Sequence, residues 1–322
     1  MVQGIGHVAF NVEDMEKITL SAGDNYSLSL ACFPSVPENA AGVVQIVHGM
    51  EEHKERYYDF ALFLAEHGLH VVVSDLRGHG EDAPVLSHIA DKGGDQLLIQ
   101  DQQLIADWIA GRFPGLPMML FGHSMGSIIS RVLLQTDSGR YTRTALSGYV
   151  SPNPAAPMAV AIGTVFRAAK GSRAHSKVLN ELALGSYGKS IPDRKTDLDW
   201  LSYDEENVRK YIADPLCGAE FTVGSYCALF HLLNRMQQAN ACRDVNAEMP
   251  ILLISGKDDP CTGGEKGREN SRALLEKSGF RNISAITHDH MRHEILNEHE
   301  HEKVYRELLD FFLDRRSGTG RR

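Results

Sequence analysis

The sequence predicts an α/β protein, a mostly parallel central sheet flanked by helices, with an antiparallel start and an inserted helical cap. Three observations carry this. Short, nearly continuous apolar strands such as Val43-Val44-Gln45-Ile46-Val47 and His70-Val71-Val72-Val73 alternate with segments of helical period, the pattern of strands covered on both faces. Gly122-His123-Ser124-Met125-Gly126 sits between one such strand and one such helix. The alternation then stops at Ser151-Pro152-Asn153-Pro154 and resumes at Pro250, a gap of about a hundred residues, too long for a structureless loop in a compact domain.

Taken in order, Gly6–Phe10, Lys17–Ser21 and Tyr26–Phe33 are expected strands, the last two joined as a hairpin by Gly23-Asp24-Asn25. Gly42–Val47 begins the parallel part. A helix follows in which Tyr57, Phe60, Ala61 and Leu64 recur at helical spacing, then a strand at His70–Ser74 and a helix over Asp95–Ile109 with Leu97, Leu98, Ile105, Trp108 and Ile109 for its inner side. Pro117–Phe121 is a strand leading into a helix at Ser127–Gln135, and Thr144–Tyr149 is another strand. Inside the gap, helices are expected at Met158–Ala169, Ser176–Leu184, Glu205–Tyr211 and Val223–Gln238. The sheet resumes with Ile251–Ser255, a helix near Glu269–Lys277 and a strand at Asn282–Ile286. A last helix carries Val304, Leu308, Leu309 and Phe312 at the 3.6 period. The expected organisation is a core of residues 1–151 and 249–316, a cap of 152–248 and a flexible tail of 317–322.

Composition narrows the function classes. With 322 residues, 43% apolar and 23% charged, the chain can bury a large core. Its net charge of −9 and the lack of any long Lys/Arg run argue against a nucleic-acid partner. Five scattered cysteines with no CxxC pair, and no apolar signal segment in Met1–Leu20, point to a reducing, cytoplasmic setting. No run of 18 apolar residues supports a membrane-spanning helix.

The chemistry starts at Ser124. A sharp strand-to-helix turn needs small neighbours, and Gly122 and Gly126 let the serine hydroxyl project above the sheet edge near the free N–H groups of the helix start. A serine hydroxyl is a weak nucleophile and requires a base, itself oriented by an acid. The base belongs in the loop after the last strand, where His288, His290 and His293 compete. The acid belongs after the preceding strand, where Asp258 and Asp259 are adjacent and Pro260 biases Asp259 to an extended backbone. Two N–H donors must face the oxyanion: Met125 N–H, and Met50 N–H from the loop Val47-His48-Gly49-Met50-Glu51-Glu52-His53. His48 and His53 are expected to order that loop rather than to transfer protons. In Asp75-Leu76-Arg77-Gly78-His79-Gly80 the P-loop lysine is missing, so nucleotide binding is not expected; Arg77 and His79 are expected to bond backbone groups. The histidine spacing matches no strong zinc pattern, and no metal or cofactor is expected.

These blocks, with Ser255-Gly256-Lys257-Asp258-Asp259-Pro260 and His293-Glu294-Ile295-Leu296-Asn297-Glu298, resemble the α/β-hydrolase fold. Within it, the chain resembles the monoacylglycerol lipase and bacterial lysophospholipase family, grouped with serine aminopeptidase-like hydrolases, over roughly residues 15–313. The cap segments Asp199–Glu206 and Tyr211–Gly218 look like the bacterial branch. The resemblance implies Asp259 as the acid, His293 as the base and Met50 as the first oxyanion donor. It also implies hydrolysis of small acyl esters such as monoacylglycerols or lysophospholipids through an acyl-enzyme, with transient contact at a lipid interface, or else an aminopeptidase or amidase on the same triad. In the lipase branch a glycine often follows the position of Met50, whereas this chain has Glu51.

Overall fold

The computed structural model describes residues 12–36 and 39–315. The expected strand at Gly6–Phe10 and the tail 317–322 lie outside these. The hairpin forms as β1 (Glu16–Ser21) and β2 (Ser27–Phe33), with Ser21 paired to Ser27 and Asn25 at φ +64° in the turn. β2 also pairs antiparallel with β4 (Leu69–Ser74), and from β4 the sheet is parallel. Its order is β1-β2-β4-β3-β5-β6-β7-β8, with β3 (Gly42–Val47), β5 (Met118–His123), β6 (Arg143–Ser147), β7 (Ile251–Gly256) and β8 (Ile283–His288). This mostly parallel sheet with helices on both faces is the expected α/β-hydrolase arrangement.

The strands read as apolar on both sides because two cores sandwich them. Val44, Ile46, Val71 and Phe121 point into a cluster with α1 (Tyr58–Glu66) and α9 (His301–Phe312). Val43, Val47, Val72 and Leu120 point the other way, toward α2 (Gly94–Arg112) and α3 (Met125–Asp137), with Leu275 of α8 (Gly264–Lys277) in the same cluster. Gln45 is the polar exception in β3, and its amide is fully engaged by Gln102 and by Tyr141 Oη. On α2 the inner stripe shifts slightly from expectation: Leu98, Ile99, Ile105, Ala106 and Ile109 are buried, while Leu97 and Trp108 are half-buried.

The chain leaves the sheet after β6 and returns at β7. Between them stand the four expected helices, α4 (Ala156–Lys170), α5 (Lys177–Lys189), α6 (Glu205–Ala213) and α7 (Val223–Met236). Ser176, Asp204 and Thr222 start the last three by accepting from the N–H groups of Leu179, Glu206 and Ser225. We propose 152–248 as one inserted unit on this topology. Within it α7 contributes Val223, Tyr226, Leu232 and Met236 to the same apolar cluster as α2 and α3, which Ala159 of α4 and Leu179 of α5 also join.

The strand order reverses direction at β3, which has β4 on one side and β5 on the other. Loops leaving the carboxyl ends of β3 and β5 therefore diverge and open a crevice, the place where such sheets bind ligands. Val47 pairs with Gly122, so the loop beginning at His48 and the turn at Ser124 flank that crevice.

Candidate active site

Ser124 occupies the turn between β5 and α3 at φ +52° and ψ −118°, a conformation costing a residue with a side chain about 1–3 kcal/mol. Packing forces it. A Cβ on Gly126 would stand 2.0 Å from Val47 O, and one on Gly122 would stand 2.3 Å from Ser130 Oγ. Glycine at 126 lets α3 start this close to β3, and glycine at 122 lets it pack this closely on β5. Met125 N–H is the first of the helix and has no intrahelical acceptor.

The three candidate histidines separate clearly. His288 faces Glu307 of α9 at 3.0 Å, and His290 is exposed. His293 is buried, lines the same cavity as Ser124, and places Nδ1 3.1 Å from both carboxylate oxygens of Asp259. Asp259 Oδ1 also accepts from Cys261 N–H, which fixes the carboxylate after β7. The neighbouring Asp258 points elsewhere and accepts from Tyr203 Oη. His293 Nε2 has Cys261 Sγ 4.0 Å away; among the described residues no hydrogen bond joins it to Ser124 Oγ. Burial opposes a charge on His293, but the Asp259 carboxylate raises its pKa well above the usual imidazole range. The Cys261 thiol is itself pushed up by burial and stays neutral at ordinary pH. His123, packed against His293 at 4.7 Å, is driven down to about 3 by burial and by His293, so it stays neutral.

The loop after β3 is held from below. Glu52 Oε1 accepts from Gly49 N–H at 2.5 Å and from Tyr57 Oη at 2.7 Å. His48 spans Gly49 O and Leu76 N–H, and His79 spans Arg77 O and Glu51 N–H. Burial keeps both rings neutral, His79 at about 4. Lys54 pairs with the buried Asp75 at 2.5 Å, which ties the loops after β3 and β4 together. Arg77 departs from expectation: its partners are the carboxylates of Asp101 and Asp24, not backbone groups, because its guanidinium points under the sheet edge toward α2 and the hairpin turn. With the loop so fixed, Met50 N–H and Met125 N–H have no protein acceptor among the described residues.

A second set of contacts joins the His293 loop to the cap, and sequence reasoning assigned none of them a role. Glu294 accepts from Arg56 at 2.7 Å and from Asn207 of α6 at 2.6 Å. Glu298 accepts from Ser202 Oγ and from the N–H groups of Tyr203, Asp204 and Arg292. Trp200 packs its ring 4.9 Å from that of His293. The only signal in the sequence was the pair of acids one and five residues after His293, buried here by tertiary contact.

Above Ser124 lies a cavity of about 310 Å³. Its floor is Met50, Ser124, Met125 and His293, and its roof includes Ala159 of α4, Leu182 of α5, and Leu229 and Phe230 of α7. Among the described residues two groups of side chains stand close enough to ligate an ion: His53 with Asp214 and Cys217, and Asp259 with Cys261 and His293. In the first, burial opposes charge, but hydrogen bonds with Cys217, Glu55 and Asp214 push His53 up to about 11. His53 thereby orders its loop against the cap, as expected. In the second, a metal would occupy the imidazole that faces the serine.

Residues 38–300 match the family described as serine aminopeptidase, S33. The chain is 29% identical to a monoacylglycerol lipase of Mycolicibacterium smegmatis over 84% of its length and 88% of that protein. It is 27% identical to the monoglyceride lipase of Homo sapiens, covering 67% of this chain and 65% of that one. In structure it is similar to a thermostable carboxyl esterase from Bacillus coagulans, with a TM-score of 0.84 at 23% identity over 92% of this chain and 97% of the other.

Proposed function

This chain belongs to the serine aminopeptidase S33 family of α/β-hydrolases, and from that premise we propose that it hydrolyses carboxylic esters of monoacylglycerol or lysophospholipid type through an acyl-enzyme on Ser124. The observation that carries the reading is the pairing of an Asp259-bound imidazole with two unengaged N–H groups on either side of one serine in one cavity. Ser124 Oγ attacks the acyl carbonyl while His293 Nε2 takes its proton. Asp259 holds the ring with Nδ1–H directed to itself. The developing oxyanion is received by Met50 N–H and Met125 N–H, donors that need no rearrangement. His293 then passes the proton to the leaving alcohol and activates the water that cleaves the acyl-enzyme. Rotation of Ser124 Oγ toward Nε2 on substrate binding completes the set, as hydrogen bonds of such sites tighten in the complex.

The apolar roof from α4, α5 and α7 suits an acyl chain. Lipid access is supported by Met158 and Val165 of α4 and Val178 and Leu182 of α5, all large and exposed, with Leu182 also lining the cavity. Among the described residues no helix is long and apolar enough to cross a membrane. All five cysteines are free, which supports a reducing, cytoplasmic setting. A second reading, aminopeptidase or amidase action on the same triad, is favoured by one observation: Glu51 is a lining residue of the cavity, and an acid there suits a substrate ammonium.

Ser124→Ala is expected to lower ester turnover at least about 10⁴-fold while leaving the melting temperature in place. Labelling of the wild type by a fluorophosphonate, absent in the variant, marks the nucleophile. Turnover retained by the variant overturns the assignment. Activity confined to aminoacyl amides, against monoacylglycerols, lysophospholipids and p-nitrophenyl esters, replaces the ester reading with the second one.

A further inference from the structure

Three acidic residues line the cavity, Glu51, Glu52 and Glu294, and among its described lining residues there is no lysine or arginine. Two of the three are already engaged. Glu294 holds Arg56 and Asn207; Glu52 holds Gly49 N–H and Tyr57 Oη and lies 3.6 Å from Arg56, which stands behind the wall. Glu51 has no cation among the described residues. Its carboxylate takes a single hydrogen bond, from Phe221 N–H at 3.2 Å to Oε1.

The backbone of Glu51 is held on three sides, which keeps the carboxylate in place. Its N–H donates to His79 Nε2, and its carbonyl accepts from Tyr211 Oη at 2.7 Å and Gly218 N–H at 2.9 Å. It sits at φ +58°, where glycine is at ease and a residue with a side chain is strained. A costly backbone at a cavity wall points to a use for the side chain. Glu51 directly follows Met50, whose N–H is one of the two proposed oxyanion donors.

We propose that Glu51 sets the charge of the leaving group, accepting alcohol halves that are uncharged or rich in hydrogen-bond donors and rejecting anionic ones. The inference rests on the ester-hydrolase reading and narrows it. An unpaired carboxylate in a partly dry cavity repels a second negative charge far more strongly than one in water, and it accepts readily from hydroxyl groups. Burial and the nearby Glu220 push Glu51 up to about 7 against the Phe221 N–H, so the test belongs at pH 8, where the carboxylate is ionised.

The experiment compares kcat/KM at pH 8 for 1-lauroylglycerol and lauroyl lysophosphatidylglycerol, whose phosphodiester carries one fixed negative charge, both below their aggregation concentrations. The enzymes are the wild type, Glu51→Gln and Glu51→Gly. Glutamine keeps the shape and removes the charge, while glycine relieves the positive φ and so protects the fold. The wild type is expected to prefer the glycerol ester by about tenfold or more, and both substitutions to cut that ratio at least about fivefold. Because the ratio is taken within each enzyme, a general loss of activity cancels. A wild type that cleaves both esters equally well, or a ratio unchanged by either substitution, overturns the role of Glu51 and leaves ester hydrolysis standing. A wild type that cleaves neither ester overturns both.

Discussion

His293 stands between a buried carboxylate and a buried thiol, and in the proposed mechanism its protonation decides when Ser124 can be activated. Asp259 raises its pKa, so the base form is present above that raised value and is lost as the pH falls through it. The acid limb of kcat/KM is therefore expected above the pH of an ordinary imidazole. Asp259→Asn should move that limb to lower pH and reduce kcat by roughly 10³–10⁴-fold, because the wrong tautomer is then favoured. A pH–rate profile of both enzymes checks this, and an unmoved limb would argue that another group titrates. At this scale the proposed nucleophile was legible from its flanking glycines, whose added Cβ atoms would strike Val47 O and Ser130 Oγ. The acid was not. Asp258 and Asp259 have the same chemistry and adjacent positions, and only the course of the chain after β7 turns one toward His293 and the other toward Tyr203.

Between the elements, the loop after β8 and the start of α6 act as one piece. Glu298 gathers three backbone N–H groups and a hydroxyl from both sides, and Glu294 reaches the far side through Arg56 and Asn207. Removing a buried carboxylate strands its donors, so Glu298→Ala is expected to cost about 2–4 kcal/mol in urea unfolding. It should also lower kcat more than it raises KM, since His293 loses its support while the apolar roof is kept. Glu298→Gln, which retains an acceptor, should recover part of both. A fall in stability with kcat intact would confine Glu298 to a structural role. The four cap helices were legible as helices because caps such as Ser176, Asp204 and Thr222 and the apolar period are local signals. Their roles were not, because α7 packs with α2 and α3 while α6 meets the His293 loop, a division with no local mark.

Across the whole molecule, the sheet supplies a rigid edge, the insertion closes it from above, and exposed apolar side chains on α4 and α5 face outward. Replacing Met158, Val165 and Val178 by serine should reduce binding to phosphatidylcholine vesicles by about tenfold or more, given 1.5–3 kcal/mol for each large apolar side chain fully buried. Zwitterionic vesicles are the proper probe, since a net charge of −9 offers no attraction to anionic lipid. Flotation with equal binding by both proteins would remove the lipid-interface contact. The sequence by itself determined the fold class, the order of strands and helices and the serine at the crevice, because periodicity, turn residues and close backbone packing are written in neighbouring positions. Only the tertiary structure decided which carboxylates are free to meet a substrate. Glu51, Glu52 and Glu294 are alike as letters, and two of them are taken up by Arg56 and its neighbours, while the third, also a lining residue of the cavity, has no cation among the described residues because partners distant in the chain are brought together only by folding.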